Sequence, residues 1–208
     1  MRILVNGCSH TFGSECNTNW VKELALLEGC DYENMALPGT SNQSILRRTI
    51  DEIEEHSHRY HVVIISWTTL ERFEFAYKGE VTNYSLHKSD AQDDRLNDFF
   101  KFCDVNIADW QLGKQHTQMY IFLLQEYLTS KNIPYIFFNA YNTAWDNNQD
   151  LLYRSMDFSK YYMPTEGIIE RYLAQYPQSF SNTKHATDPE IHKMIAKEIR
   201  NSQQWQNR

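Results

Sequence analysis

A serine, a glycine and a histidine, far apart in the chain, have the types that acyl transfer through a covalent ester requires. Ser9 stands in the opening run Met1-Arg-Ile-Leu-Val-Asn-Gly-Cys-Ser-His-Thr-Phe-Gly13, where the apolar stretch Ile3–Val5 leads straight into Gly7. A serine hydroxyl is a weak nucleophile at its free pKa and needs an adjacent base. His185, in Asn182-Thr-Lys-His-Ala-Thr-Asp-Pro-Glu-Ile-His192, is preferred as that base because it precedes the last predicted helix, whereas His192 lies on it and reads as surface or packing. Gly39 closes a second block, Asn34-Met-Ala-Leu-Pro-Gly39, which runs on into Thr40-Ser41-Asn42. Gly-x-Ser after a strand can also hold phosphate on backbone N–H groups. Here the lysine of a P-loop and the glycine spacing of a dinucleotide fingerprint are both missing.

Neighbouring residues have plainer readings. Side chains alternate along an extended strand end, so with Ser9 toward a cleft, Cys8 reads as buried packing. His10 reads as a cleft wall rather than a metal ligand. His56, His58 and His61 look like a metal tract, but they fall in a polar turn before a strand and read as solvated. Trp67, Arg72 and Glu74 follow the third predicted strand, placed either to contact an acidic or sugar ligand or to form a buried ion pair.

These residues need a scaffold that delivers them to one edge. Ile3–Val5, Tyr32–Ala36, Val62–Ser66 and Ile133–Phe138 read as strands. The unbroken apolar run from Val62 marks a sheet covered on both faces. Trp20, Val21, Leu24 and Leu27 have helical spacing, with Asn17 to Asn19 as cap candidates and Gly29 as the stop. Ser41 or Asn42 opens a helix to about Glu55, with Ile45, Leu46, Thr49, Ile50 and Ile53 on its inner face. An amphipathic helix spans about Lys114 to Thr129. Asp188-Pro189 announces the last one, Asp as cap and Pro in the first turn. Strands alternate with helices, so the predicted class is α/β with a mostly parallel sheet. The stretches 74–112 and 143–181 are polar and aromatic with few regular signals, and read as specificity loops with short helices near Leu96–Phe102 and Ile168–Tyr176.

Composition narrows the function classes. A chain of 208 residues, 41% hydrophobic and 14% aromatic, fits one domain over residues 1–208 with a sizeable core. The net charge of −7 argues against a nucleic-acid partner. No apolar run reaches the roughly 20 residues of a membrane span, and no signal peptide is visible, so a cytoplasmic location is expected. The four cysteines form no C-x-x-C pair; neither a zinc site nor disulfides are expected, and the chemistry calls for no cofactor.

Ser near the start, Gly39 in the middle and His185 near the end resemble the SGNH (GDSL-type) hydrolase superfamily, along essentially the whole chain. The resemblance is to its divergent members from phage and environmental genomes. It implies a flavodoxin-like three-layer α/β/α sandwich and hydrolysis of a small-molecule ester, with a small acyl group such as acetyl and a carbohydrate as reasonable parts. It also implies roles: Ser9 as nucleophile and oxyanion donor, Gly39 as second donor, His185 as base. Two positions depart from the family. Its oxyanion Asn block is replaced by Ser66-Trp67-Thr68-Thr69-Leu70-Glu71-Arg72, leaving Thr69 or Thr68 as donor, or an amide from Asn42, Asn139 or Asn142. Losing one such donor typically costs roughly 10²–10³ in rate. Its Asp three residues before the His is Asn182 here, with Asp188 an alternative whose plainer role is helix cap. The double loss keeps a second reading open: a binding protein that retains the fold and cleft without turnover.

Overall fold

A computed structural model describes residues 1–56, 59–84, 94–106, 110–142 and 151–208. Four parallel strands form the central sheet: β1 (Arg2–Asn6), β2 (Asp31–Asn34), β3 (Val62–Trp67) and, after a hairpin, β6 (Tyr135–Asn139), in the order β2-β1-β3-β6. The hairpin strands are β4 (Phe73–Tyr77) and β5 (Glu80–Tyr84). The helices are α1 (Ser9–Phe12), α2 (Trp20–Glu28), α3 (Asn42–His56), α4 (Asp94–Asn106), α5 (Trp110–Ser130), α6 (Leu151–Ser155), α7 (Ile168–Gln175), α8 (Pro189–Asn201) and α9 (Gln203–Gln206). This is the predicted α/β class with its parallel sheet. Among the described residues, no helix is long and apolar enough to cross a membrane.

Side-chain alternation along the strands builds two cores. Ile3, Val5, Val62, Ile64, Ile136 and Phe138 face one side, where α2, α7 and α8 supply Leu24, Ile168 and Ile195 among others. Leu4, Val63, Ile65, Trp67, Tyr135 and Phe137 face the other, against Ile45 and Ile53 of α3 and Leu124 and Leu128 of α5. Helices on both faces explain why β3 is buried at all six positions. Each such Ile or Leu contributes about 1.5–3 kcal/mol by leaving water. Helix ends follow the sequence signals. Asn19 Oδ1 accepts from Lys22 N at 2.9 Å, and Gly29 closes α2 at φ +59°.

The strand order reverses beside β1. The chain leaves β1 for β2 on one side and returns through α3 to β3 on the other. Crevices of open α/β sheets form at such a switch point, beyond the carboxyl ends of the strands. Ser9 follows β1, and Thr68 and Thr69 follow β3, so both flank that crevice.

One region read as irregular is regular. Phe73-Glu-Phe-Ala-Tyr77 and Glu80-Val-Thr-Asn-Tyr84 pair antiparallel across Lys78 and Gly79, both at positive φ (+51° and +82°). That is the turn whose twist suits a two-residue hairpin. Phe73 stacks on Tyr84, and Phe100 of α4 packs beside them in a small separate cluster. His58 of the suspected metal tract lies outside the described residues. His56 bonds Glu52 within α3, and His61 Nδ1 accepts from Arg2 N.

Candidate active site

Ser9 is placed by close packing beneath it. A Cβ on Gly7 would lie 2.5 Å from Thr11 Oγ1 and 3.1 Å from Ser66 Cβ, so only glycine lets the turn after β1 settle against β3. The Cys8 carbonyl then accepts from Thr11 N (3.0 Å) and Phe12 N (2.9 Å), making Ser9 the first residue of the one-turn helix α1. Gly13, at φ +89°, ends that turn. Ser9 is 6% exposed, and Cys8 is packed in the core. Asn34 Nδ2 donates to Thr11 O (2.9 Å) and Leu37 N to Gly7 O (3.3 Å). These bonds hold the 37–40 loop beside α1. There Gly39 sits at φ +74°, and nothing lies within 4 Å of where its Cβ would be.

His185 is delivered to the same edge by a tight turn. Ser181 N donates to His185 O (2.8 Å), Lys184 N to Ser181 O (2.9 Å), and Phe180 bridges Ala186. The His185 ring lies against that of His10, the residue after Ser9, with centroids 4.8 Å apart. Its Nδ1 is 3.1 Å from Glu15 Oε1 and 3.0 Å from Thr183 Oγ1, while Thr183 Oγ1 also donates to Glu15 Oε1. Neither group expected beside the histidine is bonded to it. Asn182 is exposed on the turn. Asp188 spends one carboxylate oxygen capping α8 through Glu190 N (2.9 Å) and the other accepting from Ser179 Oγ (3.1 Å).

The electrostatics separate the two histidines' surroundings. His10 is 3% exposed, and its Nε2 meets Tyr141 Oη at 2.6 Å. Burial, with the nearby His185 and Arg72 charges, pushes it down to about 3, so it stays a neutral wall. Burial also raises the Tyr141 phenol. Hydrogen bonds from Ser181 and then Thr183 hold the Glu15 carboxyl below its ordinary range.

The segment after β3 sorts the remaining candidates. Asn42 is fully engaged: its Oδ1 accepts from Thr68 N (2.8 Å), and its Nδ2 donates to Thr68 O (3.1 Å) and Thr117 Oγ1 (3.0 Å). With both amide hydrogens committed, it clamps the end of β3 to α5 and has no donor left for a ligand. Asn139 and Asn142 likewise hold the 164–167 segment, through Pro164 O and Gly167 N. Trp67, expected at the cleft, is 0% exposed and meets Phe137 edge-on in the core, because strand alternation turns it inward. Glu74 pairs with Arg47 at 2.8 Å and not with Arg72.

Thr69 and Arg72 remain. The Thr69 hydroxyl is buried with no partner among the described residues. Arg72 Nη1 donates to Thr40 O (3.3 Å) and Thr68 Oγ1 (3.0 Å), tying the Gly39 loop to the β3 exit. Its Nε is buried without a partner among the described residues. Beside Arg72 opens a cavity of about 300 Å³ with Leu70, Phe73, Thr117 and Tyr120 in its walls. Glu15, Tyr141 and Thr183 were not singled out from sequence. Only Glu15's nearness to Gly13 hinted at it.

No family model and no curated protein matches the sequence. Solved structures do match in shape. The psychrotrophic esterase EstA from Pseudoalteromonas sp., in a form inhibited by monoethylphosphonate, aligns over 100% of this chain and 99% of its own, with TM-score 0.59 and 14% identity. The acetyl xylan esterase AlAXEase aligns over 96% and 98%, with TM-score 0.55 and 11% identity. Axe2, an acetylxylan esterase from Geobacillus stearothermophilus, aligns over 96% and 92%, with TM-score 0.54 and 14% identity.

Proposed function

We propose that this chain, which has the fold of the SGNH (GDSL-type) hydrolases, is a serine ester hydrolase working through Ser9 and His185. The observation that supports this most is the His185 ring against His10, the immediate neighbour of Ser9, at the switch-point edge of the sheet. His185 Nε2 takes the Ser9 proton as the hydroxyl oxygen attacks the ester carbonyl. The tetrahedral oxyanion collapses, the alcohol leaves with the proton from His185, and water then releases the acid by the same steps in reverse. The N–H groups of Ser9 and Gly39 and the hydroxyl of Thr69 are the oxyanion donors in this reading, with Arg72 adding positive charge. The substrate is a small-molecule ester with a short acyl group, acetyl first, on a carbohydrate alcohol. The acetylxylan esterases among the structural neighbours favour that class.

The test is labelling with a fluorophosphonate and hydrolysis of p-nitrophenyl acetate, by native protein and by Ser9→Ala. The native protein is expected to label and turn over, and Ser9→Ala to do neither. Equal rates for the two would remove Ser9 from the chemistry. The binding-protein reading, favoured by the lack of a fixed amide donor after β3, would then take its place.

A further inference from the structure

We infer that Glu15 is the carboxylate that positions His185, occupying from the amino-terminal loop the place that Asn182 and Asp188 leave vacant; the inference rests on the Ser9–His185 reading. Among the described residues, Glu15 is the only carboxylate paired with His185, at 3.1 Å from Nδ1. Thr183 completes the arrangement. Its single hydroxyl proton goes to Glu15 Oε1, so toward His185 Nδ1 it presents a lone pair at 3.0 Å. Two acceptors at one ring nitrogen assign the proton to Nδ1. The lone pair is then on Nε2, the nitrogen a base needs for a serine.

The backbone supports the same conclusion. Glu15 is a non-glycine residue at φ +66°, a conformation that side-chain-bearing residues seldom adopt. It follows the left-handed Gly13 directly after α1. This bend sends the chain back over the 181–185 turn, where Ser181, Thr183 and His185 all meet the carboxylate. On its other side His185 faces neutral His10. Arg72 lies near His10, and Lys184 adjoins His185 in the turn, so the anion opposing the imidazolium is Glu15. A positioning carboxylate acts by fixing the tautomer and by stabilising the imidazolium as it forms.

Glu15→Gln keeps the shape and removes the charge. It is expected to lower kcat about 10²-fold or more while KM stays within about twofold, since the lost interaction belongs to the transition state. Neutral His185, followed by ¹⁵N NMR, is expected to hold its proton on Nδ1 in native protein and to move toward a mixture of Nδ1–H and Nε2–H tautomers in Glu15→Gln. Glu15→Asp should recover part of both. Glu15 is exposed, so thermal stability should hardly change in either variant. An unchanged His185 tautomer and an unchanged kcat in Glu15→Gln overturn the inference. A Ser9→Ala protein as active as native overturns the hydrolase reading and Glu15's part in it. The ¹⁵N tautomer measurement, which needs no turnover, then shows separately whether the carboxylate–imidazole contact itself was right.

Discussion

At the scale of single residues, the proposed oxyanion site has a hydroxyl in place of a fixed amide. Thr69 Oγ1 is buried without a partner among the described residues, which leaves a donor available and costs free energy until something accepts from it. A hydroxyl rotates where an amide is planar and held, so it is a weaker oxyanion donor. Thr69→Val should therefore lower kcat for p-nitrophenyl acetate by about tenfold to 10²-fold, the low end for losing an oxyanion donor. An unchanged kcat would take Thr69 out of the oxyanion site. Ser9, Gly39 and His185 could be picked out as candidates from sequence because local grammar marks each: a strand ending on glycine, a turn glycine, a loop before a capped helix. Glu15 was not, because its partner lies 170 positions away and no local pattern links the two. Trp67 and Asn42 misled for a related reason. Sequence places them at the right edge but does not tell which way a side chain points or whether its hydrogens are already spent.

At the scale of elements, position depends on close approach. Gly7→Ala would set a methyl 2.5 Å from Thr11 Oγ1, forcing α1 outward from β3. The expected result is a loss of about 1–3 kcal/mol in stability, as for other overpacked sites. Esterase activity should fall further than that loss explains, because Ser9 moves with α1. A variant with native rate and native melting temperature would show that this packing does not position Ser9. The sheet and α5 were legible from apolar spacing, and α2, α3 and α8 because caps agree with it, down to Asn19, Gly29 and Asp188. The β4–β5 hairpin was not. Its turn is Lys-Gly rather than Asn-Gly, and its strands are half-exposed, with polar residues interrupting the alternation.

At the scale of the whole molecule, two kinds of buried group set the response to acid. Burial lowers His10 to about 3 from 6.5, and burial lowers His192 as well. As pH falls below about 6.5 the unfolded chain takes up these protons first, so stability declines there and keeps declining toward 3. Burial works to raise the Glu198 carboxyl, but hydrogen bonds from Arg171, Tyr162 and Tyr172 outweigh it and hold it low. Its contribution is full above the ordinary value of 4.5 and is lost only below it. The melting temperature should therefore fall between about pH 6.5 and 4.5 for the histidines' sake, and His10→Gln should flatten that part of the curve. An equal slope in the variant would show that His10 is not the group responsible.

The contact between Glu15 and His185 also has a meaning in time. Synthesis runs from the amino end, so Ser9 and Glu15 emerge before a histidine that follows Glu15 by 170 positions. In the proposed mechanism, Ser9 has neither base nor carboxylate to work with until the 181–185 turn docks. Turnover would then require synthesis past that turn: a molecule that stops short of it carries an idle serine, however well its first strands have folded.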